Sequence, residues 1–102
     1  MRVAGFNSII HPEQRILICA FLLANSEVAF SVLRQSLDMT DSGLSKQIKV
    51  LADAGYVSIS KEGGVPRPRR WLALTPAGRE ATEAHLAALR GIVESRQGTV
   101  GG

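Results

Sequence analysis

The feature that most constrains this chain is a change of apolar period at Gly55. Across TDSGLSKQIKVLADAG (40–55), Leu44, Ile48 and Leu51 recur at i, i+4 and i+7, the spacing of one buried helix stripe. From Tyr56 to Ser60 (YVSIS) and again from Trp71 to Thr75 (WLALT), apolar and polar residues alternate, as in half-buried strands. Between them KEGGVPRPRR (61–70) supplies a hairpin loop: Gly63 and Gly64 permit the turn, while Pro66 and Pro68 stiffen one flank. A helix that ends in a glycine stop and feeds directly into a short hairpin fits few small folds.

The flanking segments complete the pattern. His11-Pro12 reads as a helix start, with Pro12 where its missing N–H costs nothing. A first helix from Pro12 to about Ala24 is apolar nearly all round, so it is expected to be buried on more than one side. Ile16, Leu17, Ala20 and Leu23 can face the chain's own core, leaving Ile18, Phe21 and Leu22 for another surface. Glu27 to Ala29 reads as a short strand, followed by a second helix from Phe30 to Leu37 and a tight turn at Asp38-Met39. Thr40 is a suitable N-cap for the third helix, and Asp41 in its first turn suits the helix dipole. Thr75-Pro76 opens a fourth helix by the same logic, expected to run to about Arg96.

The expected fold is therefore mainly α with a small β-hairpin, an α+β arrangement in the order α-β-α-α-β-β-α. Residues 1–10 form an N-terminal arm, 11–75 the main domain, 76–97 a C-terminal helix and 98–102 a frayed tail. At 102 residues, with 45% hydrophobic, the chain suits one modest core. Its longest apolar run, Ile16 to Ala24, is less than half of the roughly 20 residues that a spanning helix needs, so no membrane role is expected. One cysteine, Cys19, precludes an internal disulfide and fits a reducing, cytoplasmic setting.

Two short helices joined by a tight turn, the second polar at its start, describe a helix-turn-helix, and the hairpin makes it winged. HPEQRILICAFLL at the first helix, LSKQIKVLADAGYV at the third and RRWLALTPAGR after the hairpin resemble the compact, single-domain winged-helix regulators of the MarR and ArsR type. The resemblance covers residues 11–90, and the last two motifs in this order and spacing carry most of it. It implies double-stranded DNA as partner and a homodimer as the working unit. It also implies that a small-molecule effector can lie between the DNA-reading part and the dimer helices, though no residue identifies one.

Physical reasoning on the residues points the same way. A helix enters the major groove and reads base edges with side chains near its N-terminal end. Thr40, Ser42, Ser45, Lys46 and Lys49 lie at that end or opposite the Leu44-Ile48-Leu51 stripe. By resemblance Lys46 stands where many relatives carry arginine, and lysine lacks the planar fork for bidentate reading. Arg67, Arg69 and Arg70 at the hairpin suit phosphates or a minor groove, with Arg70 also able to orient the second strand. The net charge of +3 is mild, so placement matters more than amount. For the dimer, Ala81, Ala84, Ala88 and Ile92 share one side of the last helix, and Leu89 and Val93 belong to a second apolar stripe. With Ile18, Phe21 and Leu22 they form the expected interface.

Other chemistries find little support. His11, His85 and Cys19 have no metal-ligand spacing, and the cysteine pair that metal-sensing relatives carry near the recognition helix is missing. No phosphate-binding glycine loop, paired carboxylates or activated nucleophile stands out, so neither cofactor nor catalytic residue is expected. A winged helix serving only to bind protein remains the alternative, because fold alone does not fix function.

Overall fold

The computed structural model describes residues 3–63 and 69–101, with the backbone alone for 96–101. Its elements are α1 (Glu13–Ala24), β1 (Val28–Ala29), α2 (Phe30–Ser36), α3 (Asp41–Asp53), β2 (Val57–Glu62), β3 (Arg69–Leu74) and α4 (Pro76–Gly101). The order is the one the sequence predicts. Three antiparallel strands form a sheet with β3 in the middle, β1 on one edge and β2 on the other. Val28 lies opposite Leu72, and Ile59 lies opposite the same residue from the other side.

Local chemistry sets the boundaries. Thr40 accepts from the Gly43 N–H at 3.0 Å, closing the first turn of α3. A Cβ on Gly43 would sit 2.8 Å from that same threonine oxygen, so the glycine leaves room for the cap. The α2–α3 turn is tight because Asp38 adopts φ +53°, with the Met39 N–H reaching back to the Arg34 carbonyl at 3.0 Å. Gly55, at φ +82°, ends α3 by the left-handed route that glycine takes without steric cost. Thr75 then couples three segments. Its hydroxyl donates to the Gly55 carbonyl at 2.6 Å and accepts from the Gly78 N–H at 2.9 Å, while its own N–H donates to Tyr56 O at 3.0 Å.

The core gathers Ile18, Cys19 and Leu22 of α1, Leu33 of α2, Leu44, Ile48 and Leu51 of α3, and Leu72 of β3. The phase of α1 thus differs from expectation. Ile18 and Leu22 are completely buried within the chain and are not available to a partner, whereas Leu17, expected inward, is 47% exposed. A helix apolar nearly all round carries no periodic signal to fix its rotation, and here contacts with α3, β3 and α4 fix it.

The small side of α4 is also spoken for. Ala81 packs against the core, Ala88 is buried, and a Cβ on Gly5 of the arm would lie 2.9 Å from the Ala84 carbonyl oxygen. These three alanines therefore line the face that the chain's own α1 and arm cover, not a free one. Small residues permit close approach, and the nearest occupant is intramolecular. Beyond them residues 91–95 are all exposed, with Ile92 at 45% and Val93 at 55%. The backbone of α4 stays helical to Gly101, past the expected end near Arg96 and through the tail expected to fray. No proline stops it, and each further residue adds a backbone bond once the helix exists.

Candidate nucleic-acid interface

Burial along α3 alternates as its stripe requires. Leu44, Ile48 and Leu51 face the core, while Thr40, Ser42, Ser45, Lys46 and Lys49 are exposed together on the opposite side. Two acidic residues on this face are paired. Arg34 of α2 holds Asp41 at 3.0 Å, and Lys49 meets Asp53 at 3.2 Å across one turn. The second pair is well exposed, so solvent screens it and Lys49 can exchange its partner at little cost. Lys46 has no ion pair among the described residues. Thr40 Oγ1, by contrast, is already occupied by its cap bond, which makes it a positioning residue first.

The helix is braced from behind by a polar chain. Arg15 of α1 donates through Nη1 to Gln47 Oε1 at 2.9 Å, and Gln47 Nε2 donates to Gln14 Oε1 at 3.1 Å. Arg15 Nε reaches the carbonyl of Ile9 in the arm. Gln14, Arg15 and Gln47 were not legible as functional, because nothing local marks polar residues on two helices as neighbours.

The arginines of the hairpin do not act as one cluster. β3 begins at Arg69, so neighbouring side chains point to opposite faces of the sheet. Arg70 faces α3: its guanidinium lies 3.7 Å from the centre of the Phe30 ring, and with Ser45 and Lys49 it borders a groove of about 260 Å³. Phe30, Ile48, Ile59 and Leu72 form the apolar wall of that groove. Arg69 goes to the other face, where it lies 5.6 Å from the Trp71 ring beside Phe21 and Val28. Trp71 packs at the root of the hairpin, and its buried Nε1–H has no hydrogen-bond acceptor among the described residues. Arg67 lies outside the described residues.

No group of three or more His, Cys, Asp or Glu among the described residues could hold a metal ion. Cys19 is a buried core thiol; burial pushes its pKa up, against smaller opposing effects of Thr82 and Arg15. No described helix is long and apolar enough to cross a membrane.

Comparison with known proteins places this geometry. The model of a winged helix DNA-binding domain matches residues 15–93. Among solved structures, a transcriptional regulator homologue from Pyrococcus horikoshii OT3 is 30% identical, with 85% of this chain and 86% of that chain covered and a TM-score of 0.79. A putative transcriptional regulator, ytfH from Salmonella typhimurium, shares 24% identity over 90% of this chain and 80% of its own, at a TM-score of 0.70. A MarR-family protein from Porphyromonas gingivalis W83 shares 21% over 84% and 79%, at 0.63. A search of curated proteins returns no match. The family match takes in the capped α3, its exposed polar face and the hairpin beside it, and the chain belongs to the winged-helix DNA-binding domain family.

Proposed function

We propose that this protein is a transcriptional regulator that binds double-stranded DNA as a homodimer and represses by occluding a promoter. The observation that carries the reading is the continuity of one exposed surface: Ser42, Ser45, Lys46 and Lys49 of α3, joined by Arg70 of β3 across a shared groove. With α3 in the major groove, the serines and Lys46 meet base edges, while Lys49 and Arg70 meet phosphates. The pairing of Arg34 with Asp41 removes an acidic obstacle at the leading end of the helix. Arg69, on the other face of β3, offers a further cation to flanking backbone.

The dimer reading rests on apolar surface that one chain leaves open. Ile92 and Val93 project beyond the body, Leu17 is half exposed, and Leu23, Leu86 and Ala87 line a groove along α1 and α4. Leu89 is partly buried, and so is Phe21, which lines a separate groove with Val28 and Trp71. A two-fold pair joined through α4 presents two α3 helices, so the preferred site is an inverted repeat with half-sites about one helical turn apart. A small-molecule effector belongs to the same proposal: a solved neighbour of 19% identity, NadR, was determined in complex with 4-hydroxyphenylacetate. The place of action is the cytoplasm, with the DNA.

The deciding experiment is a binding titration at several salt concentrations on a selected duplex and a scrambled one. A salt-dependent affinity with a preference for the selected duplex supports DNA reading. A protein with no salt-sensitive DNA binding at all would instead be a winged helix that binds protein.

A further inference from the structure

One buried imidazole anchors the N-terminal arm at Asn7. His85 of α4 has no exposed surface, and both of its ring nitrogens are engaged. The backbone N–H of Asn7 donates to Nδ1 at 2.9 Å, so Nδ1 carries a lone pair and the ring proton sits on Nε2. That N–H points at His11 Nδ1, 3.2 Å away. Phe6 closes the cluster, with its centroid 4.8 Å from each histidine ring. Asn7 spends its side chain on the same junction. Its Oδ1 accepts from the N–H groups of Ile9 and Ile10, and its Nδ2 donates to the Tyr56 hydroxyl at 3.0 Å. This tautomer also argues against a metal between the rings, since a cation on Nε2 would require that ring to be a doubly deprotonated imidazolate.

We propose that Asn7, His11 and His85 form a proton-operated latch, in which the neutral ring of His85 holds residues 3–7 on α4 and its protonation sets them free, while Ile10 stays in the core. A proton on Nδ1 would place N–H against N–H at 2.9 Å, and the partly buried amide of Asn7 would lose its acceptor. The surroundings offer the imidazolium no compensation. From the segment just before α1 the group facing it is His11, a second basic ring, and from α1 itself Arg15, turned to Ile9 and Gln47. The arm contributes Asn7 and Phe6, and the turn after α3 contributes Tyr56 through Asn7. On α4 the neighbours one turn away are Ala81, Thr82, Ala88 and Leu89, none ionisable. Among the described residues no carboxylate pairs with His85. Burial, and then the charge of His11, hold its pKa below the ordinary histidine value. Release of the arm also frees the Tyr56 hydroxyl, directly after the glycine that ends α3. If α3 reads DNA as proposed, the latch therefore bears on that helix too, but its existence does not depend on that reading.

The sign follows from linkage. A histidine whose folded pKa is depressed stabilises the closed arm fully above the unfolded value, and that contribution is lost as pH falls toward the folded one. With an open-state pKa of about 6.5, the opening constant should rise between pH 7.5 and 5.5, by at most about tenfold. The test uses the full chain, with histidine ring nitrogens followed by nitrogen-15 NMR and the Asn7 amide by hydrogen exchange corrected for its intrinsic rate. The expected result is an unprotonated Nδ1 on His85 at pH 7.5 and a progressive loss of Asn7 protection down to pH 5.5, of at most about tenfold, while core amides such as Leu51 keep theirs. In His85→Gln, whose side-chain oxygen can accept but does not titrate, the pH dependence of Asn7 should vanish. Should that variant fail to fold, His11→Ala at an exposed position serves instead: removing the neighbouring charge should move release to higher pH. Protection at Asn7 that is unchanged while His85 titrates overturns the proposal. So does a His11→Ala protein whose release midpoint stays where it was.

Discussion

Gly78 offers a sharp test of how α3 is tied to the rest of the molecule. A Cβ there would lie 2.0 Å from the Tyr56 carbonyl oxygen, 2.7 Å from its carbon and 2.9 Å from its Cα. All three are backbone atoms, so no side-chain rotation relieves the overlap. Ordinary contact begins at 3.4 Å, and the turn after α3 must therefore shift away from the start of α4 by more than an ångström. That shift pulls on the Thr75–Tyr56, Thr75–Gly55 and Thr75–Gly78 bonds, each worth about 1 kcal/mol. With the usual overpacking cost of about 1–3 kcal/mol, less the roughly 1 kcal/mol that alanine gains over glycine in a helix, Gly78→Ala should destabilise by roughly 3–5 kcal/mol. In a domain of this size that lowers the melting temperature by at least about 12 °C. Gly91 is the matched control, since it sits on the same helix, exposed, with nothing within 4 Å of its notional Cβ. Gly91→Ala should stabilise by about 0.5–1 kcal/mol through helix propensity alone. Urea unfolding followed by far-UV circular dichroism and Trp71 fluorescence measures both. A Gly78→Ala protein that unfolds at the wild-type midpoint would refute the close backbone approach, and with it the coupling of α3 to α4 at this point.

Three further outcomes are expected. Asp38→Gly relieves a left-handed residue in the α2–α3 turn and should raise stability by about 0.5–1 kcal/mol in the same unfolding assay. On DNA, Lys46→Ala should narrow the gap between selected and scrambled duplexes by about 1–3 kcal/mol, whereas Arg70→Ala should weaken both alike and flatten the salt slope by roughly 1 per subunit. A double change of Ile92 and Val93 to Asp, at exposed sites outside the core, should give a folded monomer by sedimentation equilibrium where the wild type is a dimer. A wild type that sediments as a monomer at micromolar concentration removes the dimer from the proposal.

The sequence by itself determined the elements, their order and the face of α3 turned outward. The signals for these are local. Pro12 and Pro76 at helix starts, Thr40 and Thr75 as caps and Gly55 as a stop each act within a turn or two of themselves. Leu44, Ile48 and Leu51 in one stripe on a mostly polar helix leave only one way to orient α3. Tertiary structure decided what local chemistry leaves degenerate. α1 is apolar all round, so its rotation came from neighbours, and Ile18 and Leu22 went into the core while Leu17 came out. The small face of α4 was legible, but its occupant was not; α1 and an arm anchored by the bond from Asn7 to His85, 78 positions apart, cover it. Arg69 and Arg70 looked like one patch while they counted as loop. Once β3 extends to include them, the two-residue period of a strand sends them to opposite faces, and only Arg70 joins the surface of α3. Contacts made across long loops depend on the whole chain closing on itself, and no window of sequence contains both partners.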